Sequence, residues 1–443
     1  MESLDLWLER EYRHAAAAML ESVSPVRIVK TRPGFGQTVE PKRGAIVASP
    51  VLAAYDPEPD YFFHWYRDSA LVIDAIRLLF SDGTAGPGAL VHFADFVRFS
   101  LSLQALDGRS LVATPGWRAG VAEDFARFLR TDADLACVHG EAVGAEARVN
   151  PDGTLDISKW ARPQNDGPAL RALTLLRWSR SAAFDADLGA AVSALLHADL
   201  AFTRTHWRIP CFDIWEEEAG LHYYTLCVAA SALEAGAGWL EDQGDSREAN
   251  ACRADAALIR QMLDGYWLAD AGHYRSRVLD SGVSSKKELD ISVILAALHA
   301  PGNGEAHSVR DARMHATLAQ LETLFDSEFA TNRGRSRERG PAMGRHAGDT
   351  YYSGGAYYFS TLAAAEFCFR AAAAGDAEHA LIERGDAFLE TVRIFTPPGG
   401  DLSEQFDRNT GAQTSARHLA WSYAAFVSCV AARRAVVRGS RSP

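Results

Sequence analysis

The sequence predicts an all-α fold of the (α/α)6 barrel type, and three observations carry that prediction. Apolar residues recur at helical spacing in about twelve stretches, whereas extended-chain signals are confined to Gly44–Val51 and parts of Val112–Trp117. The helical stretches are of two kinds. Those at 353–373 and 415–436 are apolar almost all round, as Ser360-Thr361-Leu362-Ala363-Ala364-Ala365 and Trp421-Ser422-Tyr423-Ala424-Ala425-Phe426-Val427 show, and a helix without a polar face is covered on every side. Those at 245–265 and 309–326 keep one charged face, as outer helices do. The third observation is a set of long Gly- and Pro-rich loops, of the length that is usually functional in a compact domain.

In chain order the helices alternate between outer and inner places. The first, 2–22, is outer. The second, 66–81, is inner and follows an aromatic motif at 61–68; outer 87–104 comes next. Loops at 105–120 and 139–168 lead into inner 166–183, which is followed by outer 186–206. The acidic motif at 213–218 opens inner 221–238, with 245–265 outside it. Loop 267–288 leads into inner 289–298, and 309–326 is again outer. Loop 327–355 leads into inner 353–373, 377–392 is outer, and loop 394–414 leads into inner 415–436. If the inner helices line a barrel, every loop and motif gathers at one rim. Neither a repeat nor a linker divides the chain, so residues 1–443 read as one domain.

Composition narrows the function. The net charge of −12 argues against nucleic acid and anionic membrane surfaces, which select a basic footprint. No run of about 18 uncharged apolar residues exists, so no membrane span is expected. The acidic N-terminus and the short Ala15–Leu20 stretch do not form a signal peptide, which predicts a cytoplasmic protein. The six cysteines lack paired spacing and mostly sit in helical patterns, so they read as free buried thiols rather than as metal ligands. No metal or other cofactor is expected.

Two carboxylate motifs suit sugar chemistry: Asp213-Ile214-Trp215-Glu216-Glu217-Glu218 and Asp401-Leu402-Ser403-Glu404-Gln405-Phe406-Asp407. Cleaving a glycosidic bond takes one carboxylic acid to protonate the leaving oxygen and a second carboxylate across the sugar. Asp60-Tyr61-Phe62-Phe63-His64-Trp65-Tyr66-Arg67-Asp68-Ser69 adds aromatic faces for a pyranose and an Arg–carboxylate pair for its hydroxyls. A helix cap with a structural ion pair accounts for that string equally well. Trp160-Ala161-Arg162-Pro163-Gln164-Asn165-Asp166-Gly167-Pro168 offers a sugar platform or plain turn chemistry. Gly344-Arg345-His346 through Gly355 is open in the same way.

Taken in order, these motifs resemble the glucoamylases and related α-glucoside hydrolases of glycoside hydrolase family 15 over nearly the whole chain. The match runs from Gly44-Ala45-Ile46-Val47-Ala48-Ser49-Pro50 to Ser403-Glu404-Gln405-Phe406-Asp407 and Ser415-Ala416-Arg417. The resemblance implies an (α/α)6 barrel and an inverting exo-glucosidase that acts on α-glucans or malto-oligosaccharides. It implies Glu216 as general acid and Glu404 as general base. Arg67 and Asp68 would grip the terminal glucose, Tyr61 would lie beside the catalytic water, and Trp160 near the scissile linkage. Glu217 would bind in the next subsite, with Trp65, Arg162, Asp213, Trp215 and Arg345 as further substrate contacts. Glu216 must hold its proton near neutral pH, which a neighbouring Glu217 charge and an apolar Trp215 would favour.

Some positions depart from the family pattern. They are Tyr66, Gly355-Ala356-Tyr357, the stretch Asn332–Met343 and, by a loose alignment, Asp326. All are expected on the leaving-sugar side, where they would set linkage preference. Three alternatives stay open: another α-glucoside such as isomaltose, dextran or trehalose; a non-catalytic glycan-binding or regulatory module of the same fold; and a different (α/α)6 enzyme class, which would not explain the ordered motifs. Survival of both carboxylates favours catalysis.

Overall fold

The structure is a computed structural model that describes residues 2–55, 57–300, 304–375 and 378–439. Its helices are α1 (Leu4–Leu20), α2 (Tyr66–Ser81), α3 (Gly88–Leu103), α4 (Gly108–Ala113), α5 (Asp132–Ala136), α6 (Asp166–Ser181) and α7 (Ala186–His206). They continue as α8 (Tyr223–Asp242), α9 (Ser246–Asp264), α10 (Ser292–His299), α11 (Ala312–Glu328), α12 (Tyr358–Ala374), α13 (Glu378–Phe395) and α14 (Ala420–Gly439). Apart from the short α4 and α5, these are the helices that the periodicity predicts.

The inner helices α2, α6, α8, α10, α12 and α14 pack each on the next, and α14 returns to α2, so the ring closes. The others form the outer layer: α1 lies on α14, α3 and α7 on each other and on α2 and α6, α9 on α8, α11 on α10, and α13 on α12. Burial follows the sequence. Every residue of α12 from Tyr358 to Phe369 is buried. In α9 only Ala249, Cys252, Ala256, Ile259 and Leu263 are, the three–four spacing of one helical face. Burying a side chain such as Ile259 fully is worth about 1.5–3 kcal/mol of transfer free energy.

The two layers start their helices differently. Outer α1, α7, α9 and α11 carry side-chain caps from Ser3, Asp185, Asp245 and Asp311. Inner α2, α6, α8, α10 and α12 begin without one. Three of them emerge directly from short strands. His64–Trp65 pairs with Arg148–Val149 and runs into α2. Ala219–His222 lies between Cys211–Phe212 and Arg277–Leu279 and runs into α8. Ala356–Tyr357 pairs with Gln405–Phe406, which pairs with Gln413–Thr414, and runs into α12. The inner N-termini therefore bring the positive end of the helix dipole to the rim where the strands lie, with the first amides of α2, α8 and α12 donating to the Ala147, Ser276 and Glu404 carbonyls and that of α10 to Asp290 Oδ1.

Several expectations need correction. Gly108–Ala113 is helical, because the Asp107 carboxylate accepts from the Arg109 amide at 2.9 Å and starts a turn where an extended piece was expected from Val112. Within Gly44–Val51 only Ile46 makes a bridge, to Val23. Helices expected from 353 and 415 begin at Tyr358 and Ala420, because the preceding residues are spent on the rim strand and on a loop against Glu404. All six cysteines are free; five are buried and Cys137 is exposed. Among the described residues no helix is long and apolar enough to cross a membrane.

Candidate active site

At the rim where the inner helices begin lies a cavity of about 270 Å³. Ten of the sequence-selected residues line it: Tyr61, Trp65, Arg67, Asp68, Trp160, Trp215, Glu216, Glu217, Arg345 and Glu404.

Glu216 sits on a tight hairpin between Phe212 and Ala219, with a left-handed φ of 66°. That conformation is costly for a side chain with a Cβ, so its surroundings must impose it. Asp213 does so. Its Oδ1 accepts from the amides of Trp215 (2.8 Å) and Glu217 (3.2 Å), and its Oδ2 from that of Glu218 (3.1 Å). Its carbonyl accepts from the Glu216 amide at 2.9 Å. The Glu216 carboxylate then meets three donors: Trp65 Nε1 at 2.8 Å and Gln164 Nε2 at 3.0 Å on Oε1, and Trp160 Nε1 on Oε2.

Glu404 precedes the strand Gln405–Phe406; its amide donates to the Ala416 carbonyl at 2.7 Å, and its Oε2 accepts from the Ser415 hydroxyl. Burial pushes its carboxyl up to about 7; the Ser415 hydroxyl and Arg345 pull it down, and Asp68 and Asp349 push it up again. Tyr61 Oη lies 2.6 Å from Tyr351 Oη, and Glu404 adds to the burial that raises both phenols.

Arg67 and Asp68 occupy the first turn of α2. Arg67 Nη1 donates to Gln164 Oε1 at 3.0 Å and to Asp166 Oδ2 at 3.3 Å. Arg67 Nε and Asp68 Oδ1 are 3.3 Å apart, an ion pair without hydrogen-bond alignment, so both atoms are buried with no hydrogen-bond partner. Burial pushes Asp68 up to about 6 against the pull of Arg67, with Glu216 and Asp166 adding to the rise. Two orphaned polar atoms side by side mark Arg67 and Asp68, both residues of the cavity wall, as a pair that the protein itself does not fully satisfy.

An aromatic stack forms part of the wall. Phe359 and Trp421 lie face to face at 4.3 Å, and Trp215 stacks on them at 5.9 and 6.2 Å. The Trp215 indole donates to Asp290, at 2.9 Å to Oδ2, so its N–H points away from Glu216. Glu217 is met by Arg345 Nη2 (2.9 Å), His346 Nε2 (2.9 Å) and Lys287 Nζ. Burial alone would raise its carboxyl; these cations hold it well below the usual range. The Glu217 charge expected to bear on Glu216 is thus neutralised locally.

Arg162 and Asp213 do not line the cavity. Arg162 is buried between Glu146 (2.6 Å) and Asp156 (2.9 Å), and Asp213 spends its oxygens on the hairpin amides and on Arg277 (2.7 Å). The family departures also lie elsewhere than expected. Tyr66 turns to the far side of α2, against Arg171. The Tyr357 hydroxyl is 3.2 Å from Asp349 Oδ2, beneath the cavity residues. Asp326 pairs with Arg335, and Asn332 ties Phe325 to Ala342 at 3.0 Å. None of these reaches the cavity; of the 327–345 loop, Arg345 alone does.

Sequence reading missed Tyr351, Phe359 and Trp421 in the wall, and Asp290, Arg277 and Asp349 behind it. Arg277 is 1% exposed in its side chain and joins Asp213, Glu218 and Asp290. Only the apolar character of the inner helices hinted at Phe359 and Trp421. Glu217, His346 and Asp349 bring possible metal-ligand atoms within 4.8 Å of one another. Arg345 and Lys287 already neutralise those carboxylates, so a cation would have to displace them.

The sequence profile described as Glycosyl hydrolases family 15 matches residues 33–82, 145–384 and 375–431. A glucoamylase of Blastobotrys adeninivorans is 27% identical over 455 residues, which cover 88% of this chain and 68% of that protein. A probable glucoamylase of Schizosaccharomyces pombe is 28% identical over 99% of this chain and 93% of its own length. Among solved structures, the family 15 glucoamylase of Hypocrea jecorina superposes with a TM-score of 0.80 at 25% identity, over 98% of this chain and 73% of that one.

Proposed function

The chain belongs to glycosyl hydrolases family 15, and from that premise we propose that it is an inverting exo-acting α-glucosidase. It releases β-D-glucose from the non-reducing ends of α-1,4-glucans or malto-oligosaccharides, with the whole chain serving as one catalytic domain. The observation that carries this reading is the joint presence, in one cavity, of two separately held carboxyls, Glu216 and Glu404, and of the unsatisfied Arg67–Asp68 pair. The stacked Trp215, Phe359 and Trp421 support exo action, because they make a wall that a chain end meets.

Arg67 and Asp68 bind hydroxyls of the terminal glucose, and Trp65 and Trp160 flank it. Glu216 donates its proton to the glycosidic oxygen as the bond from that oxygen to the anomeric carbon breaks. A water attacks the anomeric carbon from the opposite face and gives its proton to Glu404. One proton leaves Glu216 and one arrives at Glu404, so solvent exchange restores both. A base that titrates near 7 is well matched to this task near neutral pH. Glu217, held by Arg345 and His346, contributes to binding the leaving sugar.

A hydrolysis panel of maltose, maltotriose, isomaltose, trehalose and soluble starch tests the reading. Glucose release fastest from the α-1,4 substrates is expected. Isomaltose or trehalose as the best substrate would overturn the linkage, and no hydrolysis of any would overturn the activity.

A further inference from the structure

His346 is 1% exposed, lies behind Glu217, and turns both of its ring nitrogens to acceptors. Nε2 is 2.9 Å from Oε2 of Glu217, and Nδ1 is 3.0 Å from the Ala347 carbonyl. A neutral imidazole carries one N–H and one lone pair, so it can donate to only one of the two. The imidazolium donates to both.

The surrounding charges agree with that state. Glu217 reaches the ring from the hairpin 212–219. Asp290, itself paired with Arg277, bridges to the His346 backbone just before α10. Arg345 and Asp349 act on it from its own loop. Burial by itself pulls the pKa of the ring down, but Glu217, Asp290 and the Ala347 carbonyl outweigh it, against Arg345, and raise the pKa above its ordinary 6.5. A ring protonated on both nitrogens has no lone pair left for a metal ion.

This proton acts through Glu217, whose carboxylate lines the cavity. Arg345 donates to its Oε1 at 2.9 Å, and Oε2 is shared by His346 and Lys287. A neutral ring either gives up its bond to Oε2 or keeps it without charge at the expense of the Ala347 carbonyl. Both outcomes weaken the hold on Glu217.

We propose that His346, as an imidazolium, is a positioning residue that fixes Glu217 for the leaving sugar and makes recognition of that sugar depend on pH. The inference rests on the proposed place of Glu217 in the leaving-sugar subsite. The terminal glucose would be held elsewhere in the cavity, by Arg67 and Asp68, so its binding should not follow this proton.

Isothermal titration calorimetry of maltose and of glucose on Glu216→Gln, which should not turn maltose over, separates the two subsites. Both ligands share the terminal-glucose contacts. The ratio of their affinities therefore cancels the titration of Glu404 and Asp68 and reports the leaving-sugar side. The maltose advantage should fall by about tenfold as pH rises through the His346 titration, above 6.5. With His346→Gln added, whose amide donates at every pH, the advantage should stay flat. Lys287→Met, at a side chain 27% exposed, takes the other cation from Oε2 and should deepen the fall. No maltose advantage at any pH, an advantage independent of pH, the same fall after His346→Gln, or no deepening with Lys287→Met would overturn the proposal. A wild-type chain that hydrolyses no glucoside, beside a Glu216→Gln chain with the expected fall, would support the role of His346 and sink the catalytic reading, so the two failures are distinguishable.

Discussion

Ser415 donates its hydroxyl to Oε2 of Glu404, from a position whose φ of 64° is as unusual for a non-glycine residue as that of Glu216. The bond favours the ionised carboxylate and opposes the burial that lifts Glu404 to about 7. A general base works deprotonated, so kcat/KM should fall as pH drops through about 7. Ser415→Ala removes the opposing bond, so its acidic limb should move upward by about one pH unit. A pH profile of kcat/KM for both proteins checks this. An unmoved limb would mean that Ser415 serves only to shape the loop.

Glu216→Gln should lower kcat by about 10²–10⁴-fold with sugar binding retained, because an amide cannot supply the proton. The amide NH2 would also face an indole N–H, from Trp65 or from Trp160, whichever way it turns. Steady-state kinetics with a binding measurement separates the two effects. A mutant that keeps more than about a tenth of the wild-type rate would remove Glu216 from the acid role.

Asp213→Ala should destabilise the fold and lower kcat together. The change leaves three hairpin amides without their acceptor and takes from Arg277 one of its carboxylates. Breaking a buried pair of this kind costs roughly 3–5 kcal/mol. Thermal unfolding and kcat should both drop. A raised KM with unchanged Tm would instead place Asp213 against the substrate.

The first sugar released from an α-linked substrate should be β-glucose, read by proton NMR before mutarotation. Inversion needs carboxyls about 6.5–9.5 Å apart so that a water fits beside the base. If α-glucose came first, Glu404 would be a nucleophile rather than a base.

The helices were legible because their burial is written locally. The buried positions of α9 spell out one face, and α12, apolar almost all round, is buried at every position from Tyr358 to Phe369. Glu216, Glu404, Arg67 and Asp68 were legible because each lies in a compact motif. Arg277 and Asp290 were not, since their partners stand far off along the chain and no local pattern marks an Arg 1% exposed. Arg162 and Asp213 illustrate the reverse. They belong to the right motifs, but their side chains are consumed by Glu146, Asp156 and hairpin amides, a division that spacing alone does not encode. Tyr66 shows it within one turn of helix, lying against Arg171 while Arg67 and Asp68 line the cavity.

Four of the chain's ten tryptophans, Trp65, Trp160, Trp215 and Trp421, stand in the wall of the cavity that holds Glu216 and Glu404. Two of them donate their indole N–H to Glu216, and the other two share a stack with Phe359. Their emission depends on the polarity and protonation around those rings. The four rings are thus placed to act as an optical reporter, and a sugar entering beside Glu216 should be read as a change in intrinsic fluorescence without any attached dye.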